Sequence, residues 1–174
     1  MPTLSTSYGS VTDSVPLVIT LAGLATSASM ITGQQSTIVT NVTNKFLDAI
    51  VTGQVMTGTT PVANKTIAVY VFVPIRFAAS AFVYAIAGGT VLGEADAAAT
   101  FDSEQRSGSV ILAGTAATNA TSNRSYSFSF SVAEIVGYMP LKWGVFVAHD
   151  TGAALNATAA NHSFHMVGIK AESV

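Results

Sequence analysis

A chain of 174 residues with 49% hydrophobic and only 9% charged side chains is long enough for one domain with a full core, and charge cannot cover its exterior. Counterion-release binding to nucleic acid needs clustered cations, but Lys45, Lys65, Arg76, Arg106, Arg124, Lys142 and Lys170 stand singly and the net charge is −2, which argues against a nucleic-acid partner. The absence of cysteine excludes disulfides, thiolate metal sites and a cysteine nucleophile.

A monomer of this size exposes roughly 8,000 Å². Its charges then amount to about one per 500 Å², so Ser, Thr, Asn, Gly and Ala form most of the surface. Such a surface is weakly repelled by its neighbours and suits packing into an assembly. An Ala/Thr-rich secreted or viral β protein is the plain alternative. Mean hydropathy of +0.50 raises a membrane reading. Residues 77–93 carry no charge, but the run is just under spanning length and contains Gly88-Gly89, so strands are expected there and no membrane partner. No basic segment precedes the first apolar stretch, so no signal peptide is expected.

In chain order, residues 1–14 lack periodicity and read as an N-terminal arm, leaving 15–174 as the folded domain. Residues 17–24 predict a first strand and Gly33-Gln34-Gln35 a turn. Residues 37–43 predict a second strand, β-branched at nearly every place, with Ile38, Thr40 and Val42 on one face. Residues 46–56 predict a third, with Leu47, Ala49 and Val51 opposite Phe46, Asp48 and Ile50. A Gly/Thr/Pro loop over 58–64 leads into the strongest β segment, 66–73. There Ile67, Val69, Val71 and Val73 share one face and Ala68, Tyr70 and Phe72 the other, and Pro74 ends the run. Residues 94–106 form the one charge-rich loop, with Glu94, Asp96, Asp102, Glu104 and Arg106. It reads as solvated, because its spacing does not match a calcium loop.

Residues 110–116 predict another strand and 119–123 a polar turn. Residues 125–130 alternate cleanly, with Tyr126, Phe128 and Phe130 inward and serines outward. Ser131-Val132-Ala133-Glu134 matches a capping box and predicts one helical turn to Val136, before Gly137. The chain then closes with two apolar runs, Lys142–His149 and 162–170, expected to pair as a hairpin across residues 150–161. Both read as buried on two faces, with the second face covered by a loop or another subunit. Eight or nine strands without a long amphipathic helix define an all-β, single-domain antiparallel β-sandwich.

Chemistry is sparse. In a 149-to-162 register, His149, His162 and Asp150 would approach one another with His165 near, enough for zinc, although neutral histidines at the solvent edge are the simpler expectation. Asp48, Glu134 and the acidic loop supply the only carboxylates for glycoside hydrolysis, and nothing in the sequence pairs them. No Gly-x-Ser-x-Gly, P-loop or dinucleotide fingerprint occurs. A non-enzyme without cofactor, metal or catalytic residues is expected. For glycan binding the aromatic candidates are Tyr8, Tyr84, Tyr138 and Trp143, the last expected in the core. Sequons at Asn41, Asn64, Asn119, Asn123, Asn156 and Asn161 are what so much Ser and Thr produces by chance.

Three segments carry a family resemblance: residues 57–67 (Thr-Gly-Thr-Thr-Pro-Val-Ala-Asn-Lys-Thr-Ile), 139–147 (Met-Pro-Leu-Lys-Trp-Gly-Val-Phe-Val) and 150–157 (Asp-Thr-Gly-Ala-Ala-Leu-Asn-Ala). In order and spacing, over most of 17–170, the chain resembles the head decoration, or cement, proteins of tailed double-stranded DNA phages. The resemblance implies a jelly-roll sandwich that forms homodimers or homotrimers on the capsid exterior of the virion, is assembled in the host cytoplasm and braces the major capsid protein. It covers neither the arm nor the charged loop, so it brings no contact residues with it. A phage tail or host-recognition module binding surface glycans is the alternative.

Overall fold

A computed structural model describes residues 4–8, 14–74, 76–78, 81–83, 86–87, 90–101 and 109–173. In chain order the elements are β1 (Leu4–Tyr8), β2 (Val15–Pro16), β3 (Thr32–Gln35), β4 (Val39–Thr40), β5 (Asp48–Met56), β6 (Thr66–Phe72), β7 (Arg76–Ala78) and β8 (Ala81–Val83). They continue with β9 (Ile86–Ala87), β10 (Thr90–Val91), β11 (Ala97–Thr100), β12 (Val110–Ala117), β13 (Ser125–Ser131), α1 (Val132–Val136), β14 (Lys142–His149) and β15 (Ser163–Ser173). The chain is an all-β sandwich. One sheet runs β1-β15-β5-β13 with β2 also on β15, and the other runs β11-β3-β14-β6-β12 with β4 also on β14. Every pairing is antiparallel. Strands beyond the expected number are short pieces such as β2, β4 and the small pairs β7–β8 and β9–β10, which fall between Arg76 and Val91. No helix among the described residues is long and apolar enough to cross a membrane.

The strand order is nested. Along β2, β3, β5, β6, β12, β13, β14 and β15, the first strand pairs with the last, β3 with β14, β5 with β13 and β6 with β12. The β15–β5 and β14–β6 pairings then knit these into the two sheets.

This order separates the two closing strands, so the expected hairpin does not form. β14 lies between β3 and β6 in one sheet, and β15 lies beside β5 in the other. Composition explains the split. β14 is buried at every position after Lys142 and fits mid-sheet, whereas β15 alternates, with Phe164, Met166 and Gly168 buried and Val167 and Ile169 only partly covered. The link 150–161 crosses between sheets, with Leu155 bridging to Thr57.

Two cores follow. Between the sheets, Val51 and Val55 of β5, Phe128 and Phe130 of β13, and Phe164 and Met166 of β15 meet Val69, Val71, Trp143, Val145 and Val147. On the outer face of the second sheet, Tyr70, Phe72 and Phe146 are covered by Leu92, Ala99 and Phe101 of the same chain. The chain's own 90–101 segment therefore supplies the cover expected over the two-sided strands. Burying each such side chain contributes roughly 1.5–3 kcal/mol.

The early strands differ from expectation. Residues 17–24 are irregular: Leu17 N–H donates to Phe164 O at the first sheet, Val18 O accepts from Thr37 N–H at the second, and Leu17 and Leu21 fill the seam. The expected turn at Gly33-Gln34-Gln35 is instead strand β3. Its glutamines are buried, Gln35 Nε2 donating to Ala95 O at 2.6 Å while Gly93 N–H donates to Gln35 Oε1 at 3.1 Å. Glycine is required at 33, because a Cβ there would collide with the Val147 carbonyl. Of the strand expected over 37–43 only β4 forms. Asn41 ends it, its Oδ1 accepting from Phe46 N–H at 2.7 Å and its Nδ2 donating to Phe46 O at 3.0 Å.

The helical turn is as expected. Ser131 Oγ accepts from Glu134 N–H at 3.0 Å, and Gly137 closes α1 with a left-handed φ of 85°. Residues 4–8 of the arm pair along β15.

Candidate functional site

An open groove of about 430 Å³ lies at one end of the sandwich, lined by Gly58, Thr59, Thr60, Asn123 and the 153–158 segment. Backbone fit builds it. A Cβ at position 58 would strike the Ala154 carbonyl, so glycine there lets the two loops touch. Asn123 N–H donates to Gly58 O at 3.0 Å, and Thr60 N–H donates to Ser122 Oγ at 3.1 Å. Asn156 is the hub. Its Nδ2 donates to Asn123 Oδ1 at 2.8 Å, and its Oδ1 accepts from Thr158 N–H at 2.9 Å and Asn161 Nδ2 at 3.0 Å.

Two residues of this groove hold left-handed backbone, Thr60 at φ 60° and Asn123 at φ 54°. Asparagine tolerates that region, but a β-branched threonine there is an outlier costing on the order of 1–3 kcal/mol. Thr60→Asn is therefore expected to raise the unfolding free energy by about 1 kcal/mol in a denaturant titration. An unchanged midpoint would show that no strain is held there. No charged side chain lines the groove, so it offers neutral donors and acceptors and no acid–base pair.

The sequence candidates fall elsewhere. With β14 and β15 in different sheets, His149 and His162 do not face each other, and no group of three metal-ligating side chains occurs among the described residues. Both serve the frame. His162 lies between Met56 N–H, which donates to Nδ1 at 3.3 Å, and Asn156 O, which accepts from Nε2 at 2.8 Å. His149 is not at the solvent edge but fully buried, with Nε2 3.0 Å from Leu24 O and Nδ1 2.9 Å from Thr151 Oγ1. Burial lowers its pKa from the usual 6.5, outweighing the Leu24 carbonyl and the Asp150 charge, which both raise it.

Asp48 accepts from Ala49 N–H at 2.7 Å, Ser131 Oγ at 2.7 Å and Ala133 N–H at 2.9 Å, so it anchors α1. Glu134 is exposed on that helix. Trp143 is fully buried, as expected, and its Nε1 has no partner among the described residues. Tyr138 is exposed on the loop after α1. Tyr84, Asp102, Glu104, Arg106 and the side chain of Tyr8 lie outside the described residues. Of the charged loop, Asp96 ties Thr20 to Gln34, and Glu94 pairs with Lys142.

The sequon asparagines are turn-builders. Asn41 closes a turn, Asn64 is left-handed, and Asn119 Oδ1 accepts from Thr121 N–H and the Tyr126 hydroxyl. Asn123, Asn156 and Asn161 join one another across the groove. Sequence reasoning noted them only as chance sequons. Their one signal was the Asn-Ala-Thr turn chemistry.

A second feature is the outer face of the β15-β5-β13 sheet. In register it presents His165–Thr52–Ser129, Ser163–Gln54–Ser127 and Val167–Ile50–Ser131, three rows without a formal charge on Asp, Glu, Lys or Arg. No known family model matches the chain, and no curated protein is similar to it in sequence.

Proposed function

We propose that the chain is a structural virion protein that binds the outside of a tailed-phage capsid and cements its coat-protein lattice, as the proteins it resembles do. The observation that carries this reading is the nested strand order, which supports the jelly roll that the resemblance implies. Three uncharged rows on the outer face of the β15-β5-β13 sheet support it, because they can be buried without stranding charge, and Asp48 in the next row is already held by Ser131 Oγ and the Ala49 and Ala133 N–H groups. Cementing works by area. A standard contact buries roughly 1,600 Å² and must come apart before the shell expands or ruptures, and repetition around the shell adds avidity.

Quantitative mass spectrometry of purified particles tests the assignment, with about one copy per coat subunit expected. Because so few charges are available, attachment is expected to survive a molar NaCl wash. Release at moderate salt, or absence from particles, would overturn the reading.

The groove favours one second reading, a glycan-binding module of a phage tail or host-recognition apparatus. Its neutral Thr and Asn groups suit sugar hydroxyls, although no aromatic ring lines it for stacking. A glycan array that lights up with the wild type and not with Asn123→Ala would establish it.

A further inference from the structure

Among the described residues, three of the four edges of the two large sheets are short or interrupted. The edge beside β15 is shared by β1, five residues long, and β2, two residues with Pro16, while β12 shifts register at a bulge between Leu112 and Gly114 and β11 is only four residues long. Proline, bulges and brevity are the usual devices that stop an edge from pairing with another chain.

β13 has none of them. It is seven residues, Ser-Tyr-Ser-Phe-Ser-Phe-Ser, at the outer edge beside β5, with no proline, charge or register shift. The direction of its open groups follows from its register. Thr57 N–H donates to Arg124 O at 3.0 Å, continuing the Ser125↔Met56 pairing, so residue 124 turns its backbone groups toward β5. Alternation then points Tyr126, Phe128 and Phe130 inward to the ladder, and the N–H and C=O of Ser125, Ser127 and Ser129 outward. The three outward serine side chains are exposed, while Phe128 and Phe130 are buried.

We infer that this edge is a homodimer interface, in which β13 of one copy pairs antiparallel with β13 of a second across a two-fold axis at Ser127. The occupant is argued from self-complementarity. About that axis Ser127 meets the same residue of the other copy, Ser125 meets Ser129, and Tyr126 meets Phe128. Small polar side chains then match on the wet face and aromatic ones on the core face. All three outward N–H and C=O pairs are satisfied at once, and no like charges meet along the paired stretch. The pairing stops at residues 125 and 129, short of α1, so the helix does not obstruct it. The two copies' sheets become one continuous sheet, in which the three uncharged rows of one copy's outer face are continued by those of the other. This inference does not depend on the capsid reading.

The experiment is sedimentation equilibrium of the full chain across the micromolar range, with amide hydrogen exchange on the same samples. The wild type is expected at twice the monomer mass, with the Ser125, Ser127 and Ser129 amides protected at high concentration and fast at low. Ser127→Pro removes an outward donor that the monomer does not use, and Ser127→Lys sets two cations together at the axis. Each is expected to weaken dimerisation by about 10-fold or more, with the far-ultraviolet circular dichroism unchanged. Should Ser127→Pro fail to fold, Ser127→Lys and the wild-type exchange pattern still decide. A monomeric wild type, a trimer, a dimer indifferent to both substitutions, or a dimer whose serine amides stay fast would each overturn the inference. A monomer whose edge amides become protected only on particles would assign the edge to the coat protein instead.

Discussion

Phe101→Ala is expected to cost ~3–5 kcal/mol of unfolding free energy, as large a loss as a single truncation in the main core. Phe101 is fully buried, but not between the two sheets. Its ring meets Phe146 edge-on at 5.0 Å and Tyr70 at 5.5 Å, against the outer face of the β14–β6 pair. Its backbone N–H donates to Ile31 O at 3.0 Å, the step that seats β11 beside β3. Truncation would open a cavity in the second core and forfeit two edge-to-face ring contacts. Denaturant unfolding gives the total. Amide exchange locates it, because the hydrogen bonds between β11 and β3 should open at lower free energy than those between β6 and β14. A loss below about 1 kcal/mol would mean that the outer layer adds little to the stability of the sheet it covers.

The origin of this second core also shows what the sequence could reveal. Strict apolarity on both faces of β6 and β14 announced strands covered on two sides, and the serine/aromatic alternation of β13 announced one wet face. Both patterns are local, and both were readable. The partner of a strand is not local. Residues 142–149 and 162–170 lie close in sequence with turn-like residues between them, yet nested order sends them to different sheets, and no periodicity encodes that. The metal reading of His149 and His162 depended wholly on the assumed pairing and goes with it. β3 was hidden for another reason. Gly33-Gln34-Gln35 has turn composition, and it becomes strand because buried glutamine amides zip to the 93–96 loop some 60 positions away. The groove was hidden because its asparagines and Thr60 act through backbone conformation and amide networks that assemble only after the loops meet.

His149 carries the second large expectation, a loss of stability on mild acidification. In the folded chain its ring is buried between Leu24 O and Thr151 Oγ1, and burial holds its pKa below the 6.5 of the unfolded chain. Well above pH 6.5 the ring is neutral in both states and the linkage is silent. As the pH falls through 6.5 the unfolded chain takes up the proton first, so unfolding becomes more favourable, by up to ~1.4 kcal/mol per pH unit for one such group. The loss levels off only below the folded-state pKa, where both states are protonated. The neutral ring donates from Nε2 to Leu24 O and accepts the Thr151 hydroxyl at Nδ1. On protonation Nδ1 becomes a donor to Thr151 Oγ1, whose single hydrogen is then committed to Ala153 O, 2.9 Å away at the groove wall. Acid is therefore expected to be felt first at the 151–155 loop. His149→Gln keeps a donor and an acceptor but cannot titrate. It should be less stable than the wild type at neutral pH and show a flatter slope between pH 6.5 and 5, measured as the difference between the two proteins so that other groups cancel. Parallel pH profiles for the two would place the acid sensitivity on another residue.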